Sequence, residues 1–313
     1  VVPGIAPQAA ATIAAKDMES AMTKLQFNAF ESPMGGEVVD FDAKAAFDDD
    51  TYGEFKRLLR ERIVVVVRDQ HDMTPDQLEV FTRRFGGIKR MHLAQYQLDG
   101  HPEIWVISNI VENGKPLGLK LAGTMWHTDE MYLENPVSYT FLLGKEVPPA
   151  GGDTLFANMY AAYDALPEST KAEIDDLRVV VSRVHAYQAY YPDREPLTAD
   201  EKAALPEVTQ PLVRVHPETG RKALYCGGGE VAWNIVGAEL LKGQSLLREL
   251  RHFATMPRFV YTHEWRTGDL VFWDNRCSLH SATLFDTEKY RRLAWRTTVL
   301  GEAAIPVTRE AAE

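Results

Sequence analysis

The chain has 313 residues, 45% hydrophobic and 10% aromatic, with 34 Lys+Arg against 45 Asp+Glu and a formal net charge of −11. This composition supports a sizeable core and excludes global disorder, and the acidic balance excludes broad contact with nucleic acid or anionic membrane, both of which require basic stripes. The charge is uneven: residues 1–54 hold ten acids and three bases, whereas 276–298 carry Arg276, Lys289, Arg291, Arg292 and Arg296 against Asp286 and Glu288.

From the N-terminus, the Ala-rich stretch after Val1 lacks a basic leader, and no run approaches membrane-spanning length. A cytoplasmic protein is expected, with 1–25 a poorly ordered segment. The first helix should follow Asp48-Asp49-Asp50, acidic in its first turn and basic in its last (Lys56, Arg57, Arg60, Arg62). Ile63 to Val67 is a β-branched run that reads as a buried strand. Thr74-Pro75-Asp76-Gln77 then has the form of a capping box with Pro at the first helical position, ending near Gly86.

Short strands follow at 104–108, 139–143, 179–182, 212–215, 223–225, 259–262, 270–273 and 293–300. Helical patterns interrupt them at 159–166, 171–177 and 246–253. Loops at 109–120 and 187–196 are expected to cover a site. Many short strands with turn signals indicate a mainly β fold with flanking helices, of sandwich, barrel or jelly-roll type. No repeat or linker divides 1–313, which reads as a single domain. Cys226 and Cys277 lack disulfide or metal spacing and should behave as small buried hydrophobes.

The chemistry begins at Trp126-His127-Thr128-Asp129. On a strand, imidazole and carboxylate at i and i+2 share a face. Such an H-x-D also arises by chance in a chain with nine His. A third candidate, His280, follows Trp273-Asp274-Asn275-Arg276. Two His and one carboxylate form the facial triad of non-haem Fe(II) oxygenases, which leaves coordination positions open. Arg292 and Arg296 are four apart and so share a face of a strand. Turned inward they require an anionic partner, which a dicarboxylate supplies; turned outward they form an ordinary salt-bridged surface.

These residues, with Gly151-Gly152-Asp153-Thr154, resemble the taurine dioxygenase/2,4-D dioxygenase (TauD/TfdA) family of Fe(II)- and 2-oxoglutarate-dependent oxygenases over nearly the whole chain. The resemblance implies a double-stranded β-helix, or cupin-like jelly roll. It implies His127, Asp129 and His280 as Fe(II) ligands, Thr154 and Arg292 on the distal carboxylate of 2-oxoglutarate, and Arg296 nearer the metal-chelating carboxylate and the substrate. The His280-to-Arg stretch is one residue longer than in the taurine branch, which brings Arg291 into consideration; the four-residue spacing to Arg296 favours Arg292. The implied reaction consumes 2-oxoglutarate and O2, hydroxylates an unactivated C–H bond and releases succinate and CO2. The carboxylate at Asp129 favours hydroxylation over halogenation.

The expected substrate is a small organic anion: a sulfonate, sulfate ester, or aryloxy or carboxylic acid. His92 and Tyr96, together with Arg296, are candidates for holding it. His92 and Tyr96 are spaced by four rather than the taurine branch's three, and Gly123 stands where that branch has Asn, which weighs against taurine. Homo-oligomerisation is compatible with the sequence. Two alternatives are a cupin-type metal-dependent hydrolase or isomerase and a non-catalytic binding jelly roll. The first leaves Thr154, Arg292 and Arg296 unused, the second is expected to have lost a ligand, and succinate release separates them from an oxygenase.

Overall fold

The side chain of Asp48 accepts a hydrogen bond from Thr51 N (2.8 Å) and opens the helix Asp49–Arg62, as the acidic and basic ends of that segment require. A computed structural model describes residues 25–91, 93–120, 123–190, 195–228 and 231–307, the side chains of 188–190 excepted. The expected poorly ordered stretch 1–25 therefore lies outside the described residues, apart from Leu25. The helix closes at Ile63, whose N–H donates to Leu59 O (2.8 Å) and whose φ of +66° is strained for a β-branched residue. The strand consequently starts one residue late, at Val64–Val67. Thr74 and Gln77 form the expected capping box, opening the helix Pro75–Arg83.

Among the described residues an eight-stranded sheet runs Phe27–Ala29, Gly36–Val38, Val64–Val67, Leu270–Asp274, Tyr139–Glu146, Leu293–Thr298, His101–Ser108, Gln97–Leu98. It is antiparallel except between Gly36–Val38 and Val64–Val67. Strand periodicity divides its side chains between two cores. Val65, Val67, Phe141, Leu143, Leu270 and Phe272 face the two N-terminal helices, meeting Phe55, Leu58, Leu59, Leu78 and Phe81. Val64, Val66, Leu142, Val271 and Trp273 face the other way, towards Phe156, Ala157 and Leu279. The four valines are wholly buried because both faces of their strand are covered. Phe141 and Phe272 stack at 4.9 Å, and burying each such side chain contributes about 1.5–3 kcal/mol.

A smaller antiparallel sheet carries Val260–His263, Thr154–Asn158 and Ser278–Ala282 in that order. Of these only the first was expected as a strand. Ser278–Ala282 is rich in small polar residues, and pairing with its neighbour rather than intrinsic preference makes it a strand. Another three-stranded sheet packs under the helix Leu240–Ala254, which starts six residues before the predicted helix. The predicted 109–120 loop contains a hairpin, Val111–Glu112 against Lys115–Pro116, turned by Asn113 and Gly114, both at positive φ. Its predicted companion at 187–196 is a helix, Arg183–Tyr190, as far as residue 190, and 191–194 lie outside the described residues. Both cysteines are free and buried. No helix among the described residues is long and apolar enough to cross a membrane.

Candidate metal centre

His127 and His280 belong to different segments that meet as one antiparallel bridge. Each donates its N–H to the other's carbonyl, at 2.9 and 2.7 Å. The backbone pairing sets the two imidazoles side by side, with ring centroids 4.1 Å apart. His127 is thus a bridge residue rather than part of a regular strand, and Asp129 sits in the following turn, where Glu130 has positive φ. This corrects the strand-based reading of H-x-D: the turn, not the pleat, brings the carboxylate back to the imidazoles.

Asp129 Oδ1 lies 3.6 Å from the Nε2 atoms of both His127 and His280, and the donor atoms of the three residues all fall within 4.8 Å of one another. His127 Nδ1 donates to Met125 O (2.7 Å), which leaves its Nε2 lone pair facing the carboxylate. Two imidazole nitrogens and one carboxylate form a donor set suited to Fe(II) with positions left open. The fit extends behind the carboxylate. Trp273 Nε1 donates to Asn275 Oδ1 (3.0 Å), Asn275 Nδ2 to Thr140 Oγ1 (2.9 Å), and Thr140 Oγ1 to Asp129 Oδ2 (2.6 Å). An indole can only donate, so each polarity in that chain is determined and Oδ1 is left for a cation.

Burial pushes the Asp129 carboxyl up, but the Arg296 guanidinium beside it, with His280 and His127, holds it well below the usual carboxylate range. Burial, reinforced by the neighbouring His127, keeps His280 well below the ordinary imidazole value, which favours the neutral ring that a metal ligand requires. Arg296 Nη2 lies 2.9 Å from Asp129 Oδ1 as an ion pair without hydrogen-bond alignment, and its guanidinium covers the Trp105 ring at 4.7 Å.

The triad opens into a cavity of about 310 Å³ that Thr154, Arg292 and Arg296 also line. The strand Leu293–Thr298 begins one residue after Arg292. Arg292 is anchored by its backbone, donating N–H to Asn109 Oδ1 and accepting from Ser108 Oγ at its carbonyl, both at 2.8 Å. Burial lowers its pKa and Asp153 partly offsets this. Arg291 points away, exposed and bonded to Glu146 (3.0 Å). Of the five bases counted in 276–298, only Arg292 and Arg296 reach the cavity. Arg276 is tied to Asp274 and Glu218, and Lys289 lies over Tyr290.

The expected substrate residues fare differently. Tyr96 ends the short helix Ala94–Tyr96 and is not among the cavity's lining residues, and His92 lies outside the described residues. Lys89 pairs with Glu130 at 3.1 Å. Gly123 lines the cavity at φ +74°, where an added Cβ would come within 3.0 Å of the His127 ring. Tyr187, the first residue of the segment expected to cover the site, lines the cavity, as do Arg183 and Tyr132, which sequence reasoning did not single out because nothing local marks them as inward-facing.

Comparison with known proteins came out consistently. The family model described as Taurine catabolism dioxygenase TauD, TfdA family matches residues 23–298. The alpha-ketoglutarate-dependent 2,4-dichlorophenoxyacetate dioxygenase of Cupriavidus pinatubonensis is 35% identical over 282 residues, covering 86% of this chain and 95% of that protein. The (S)-phenoxypropionate/alpha-ketoglutarate-dioxygenase of Sphingobium herbicidovorans is 34% identical over 283 residues, covering 86% and 93%. The crystal structure of AAD-2 in complex with Mn(II) and N-oxalylglycine superposes with a TM-score of 0.74 at 30% identity, covering 91% of this chain and 100% of that one.

Proposed function

The chain belongs to the TauD/TfdA family, and from that premise we propose that His127, Asp129 and His280 hold its iron while Thr154 and Arg292 hold the distal carboxylate of its 2-oxoglutarate. The enzyme is an Fe(II)- and 2-oxoglutarate-dependent oxygenase. We read 1–313 as one domain and its paired sheets as the double-stranded β-helix, with the metal between them. The observation that carries the residue assignment is convergence: three donors within 4.8 Å, in a cavity that also presents a hydroxyl and a buried guanidinium.

When bound, iron and 2-oxoglutarate would allow O2 to act as the oxidant, one oxygen atom going to the succinate formed with CO2 from 2-oxoglutarate and the other to the hydroxylated C–H bond. The chain's own residues bind and shield. His127 Nε2, His280 Nε2 and Asp129 Oδ1 are the ligand atoms, and the Thr140–Asn275–Trp273 chain keeps Oδ2 engaged so that Oδ1 faces the metal. Arg292 is desolvated, and a carboxylate arriving beside it gains a charge-assisted pair in low dielectric. Thr154 Oγ1 accepts from the Trp265 indole and has its proton available for the same carboxylate. Trp105, Ile107, Met125 and Leu142 limit water around the reacting atoms.

The substrate we propose is a small organic anion carrying an apolar body, in keeping with the aryloxy acids in the names of the two relatives. Aerobic, 2-oxoglutarate-dependent succinate release stimulated by such an anion tests the reaction. His280→Ala should abolish it. Arg292→Ala should raise the 2-oxoglutarate requirement while Arg291→Ala leaves it unchanged, and the reverse result would move the cosubstrate contact to Arg291.

A further inference from the structure

We infer that the Lys89–Glu130 ion pair sets the charge selectivity of the cavity: Lys89 cancels the carboxylate that Glu130 places in the wall, and so lets an anionic primary substrate enter beside 2-oxoglutarate. This deepens the proposed function and rests on it. Two acids line the cavity among the described residues, Asp129 and Glu130. Asp129 is assigned to the metal and has Arg296 at 2.9 Å. Glu130 has no part in holding metal or cosubstrate, yet its side chain is only 9% exposed. It turns the chain at φ +51°, a conformation rare for a residue with a Cβ, so the turn that presents Asp129 also puts this second carboxylate in the wall. Uncompensated, it would share the cavity with both anions that the site is read as receiving.

Lys89 meets that charge from behind the lining residues. Its Nζ lies 3.1 Å from Oε2 and 3.3 Å from Oε1 of Glu130, astride the carboxylate. Oε2 is buried and accepts no hydrogen bond from the described residues, so the ammonium compensates it by charge alone. Backbone pairing delivers the ammonium. Ile88 bridges to Val299, and Lys89 N donates to Thr298 O at 2.8 Å. Thr298 ends the strand that carries Arg296, and its hydroxyl accepts from Arg296 Nε at 3.3 Å. Lys89 is itself 19% exposed, and water and salt screen such a pair poorly. At an effective dielectric of about 20, two like charges some 6–8 Å apart repel by enough to change affinity roughly 10- to 100-fold. A buried ion pair adds little stability over an apolar pair of the same shape; the consequence of this one falls on the field inside the cavity. With Lys89 in place the wall presents a neutral pair, and without it the wall presents an anion.

The test uses the anaerobic Fe(II)–2-oxoglutarate form of the enzyme. Phenoxyacetate, phenyl sulfate and benzenesulfonate are titrated against its visible absorption, with phenoxyethanol as the uncharged counterpart. At least one anion should perturb the band. Lys89→Met should weaken that anion roughly 10- to 100-fold. Glu130→Gln, nearly the same in shape, leaves the ammonium without its partner and should bind the anion at least as tightly as wild type. The double variant Lys89→Met/Glu130→Gln should return to within about threefold of wild type. Phenoxyethanol should respond alike in all four proteins, because it carries no charge for the wall to repel. A pair that acts only as a structural latch gives another pattern: every variant loses affinity, and the neutral probe moves with the anion. That pattern overturns the inference, as does unchanged affinity in Lys89→Met, weakened affinity in Glu130→Gln, or a wild-type band that no anion perturbs. If Lys89→Met does not fold, the direction of the change in Glu130→Gln still decides. Failure of 2-oxoglutarate to generate the band at all is a separate result, which overturns the cosubstrate reading and this inference with it.

Discussion

The indole Nε1 of Trp265 donates a 3.0 Å hydrogen bond to Oγ1 of Thr154. Because an indole N–H only donates, it occupies a lone pair of the hydroxyl and sends the hydroxyl proton elsewhere. Trp265 is itself held from behind. The His263 ring meets it edge-on at 4.6 Å, and His263 is fastened by Tyr261 OH (3.0 Å) and Asp269 Oδ2 (3.1 Å). His263 also pairs directly with Thr154 across the small sheet. A rigid stack thus stands behind one hydroxyl on the wall that Arg292 shares.

Trp265→Phe removes the indole donor and keeps most of the ring packing. The apparent KM for 2-oxoglutarate should rise about 3- to 10-fold, one hydrogen bond's worth, with kcat changed by less than about twofold. Thr154→Val should raise it at least as far. Steady-state titration of 2-oxoglutarate at saturating Fe(II) reads both. A normal KM in Trp265→Phe beside a raised one in Thr154→Val would show that the hydroxyl orients without the indole.

Thr140 is the only bonded neighbour of Asp129 Oδ2 among the described residues, at 2.6 Å. Thr140→Val, nearly the same in volume, deletes that donor and strands Asn275 Nδ2 in a buried site. Metal affinity should fall about 10- to 100-fold, as is usual for partners of metal ligands. Calorimetric titration with Fe(II) or Mn(II) under anaerobic conditions measures it. Affinity equal to wild type would mean that Arg296 alone orients the carboxylate.

Much of this site is legible in the sequence because it lies in short runs with chemical meaning. Thr74 to Gln77 states its capping box outright, the valines at 64–67 state a strand buried on both faces, and the four-residue spacing of Arg292 and Arg296 survives as a shared cavity wall. The tertiary pairing is not legible. Ser278–Ala282 looks like a polar loop until His127 bridges to it, and H-x-D looks like a strand until Glu130 turns the chain. Nor does charge counting locate the site: three of the five bases in 276–298 do not reach the cavity, and Arg183, outside that segment, lines it.

Gly228 shows how closely the backbone packs against the metal ligands. A Cβ there would lie 1.9 Å from Trp126 O and 2.4 Å from His127 Cα, distances that demand backbone movement. Gly228→Ala should displace His127 and lower metal affinity by at least about tenfold, with a loss of thermal stability of about 1–3 kcal/mol from overpacking. Paired melting and metal titration distinguish this from a local relaxation, in which stability falls and metal binding stays.

Glu218 sets the acid limit. Its carboxylate accepts from Lys56 Nζ (2.7 Å), Arg276 Nη2 and Tyr139 OH (both 2.9 Å) and Arg60 Nη1 (3.2 Å). Burial raises its pKa, but the Lys56 and Arg276 cations outweigh that and bring it from 4.5 to about 2. Burial pulls the Lys56 ammonium down even as Glu218 supports it, so the stabilisation rests on the carboxylate's four donors rather than on one ion pair. With the folded pKa below the unfolded one, the contribution is complete above pH 4.5 and is lost as pH falls from 4.5 through about 2. After discounting for partial exposure, Glu218→Gln should cost on the order of 1–2 kcal/mol at neutral pH. The gap between wild type and variant in denaturant melts should then close across that acid window, because the amide does not titrate. A gap that stays constant down to pH 3 would assign the stabilisation to shape rather than charge.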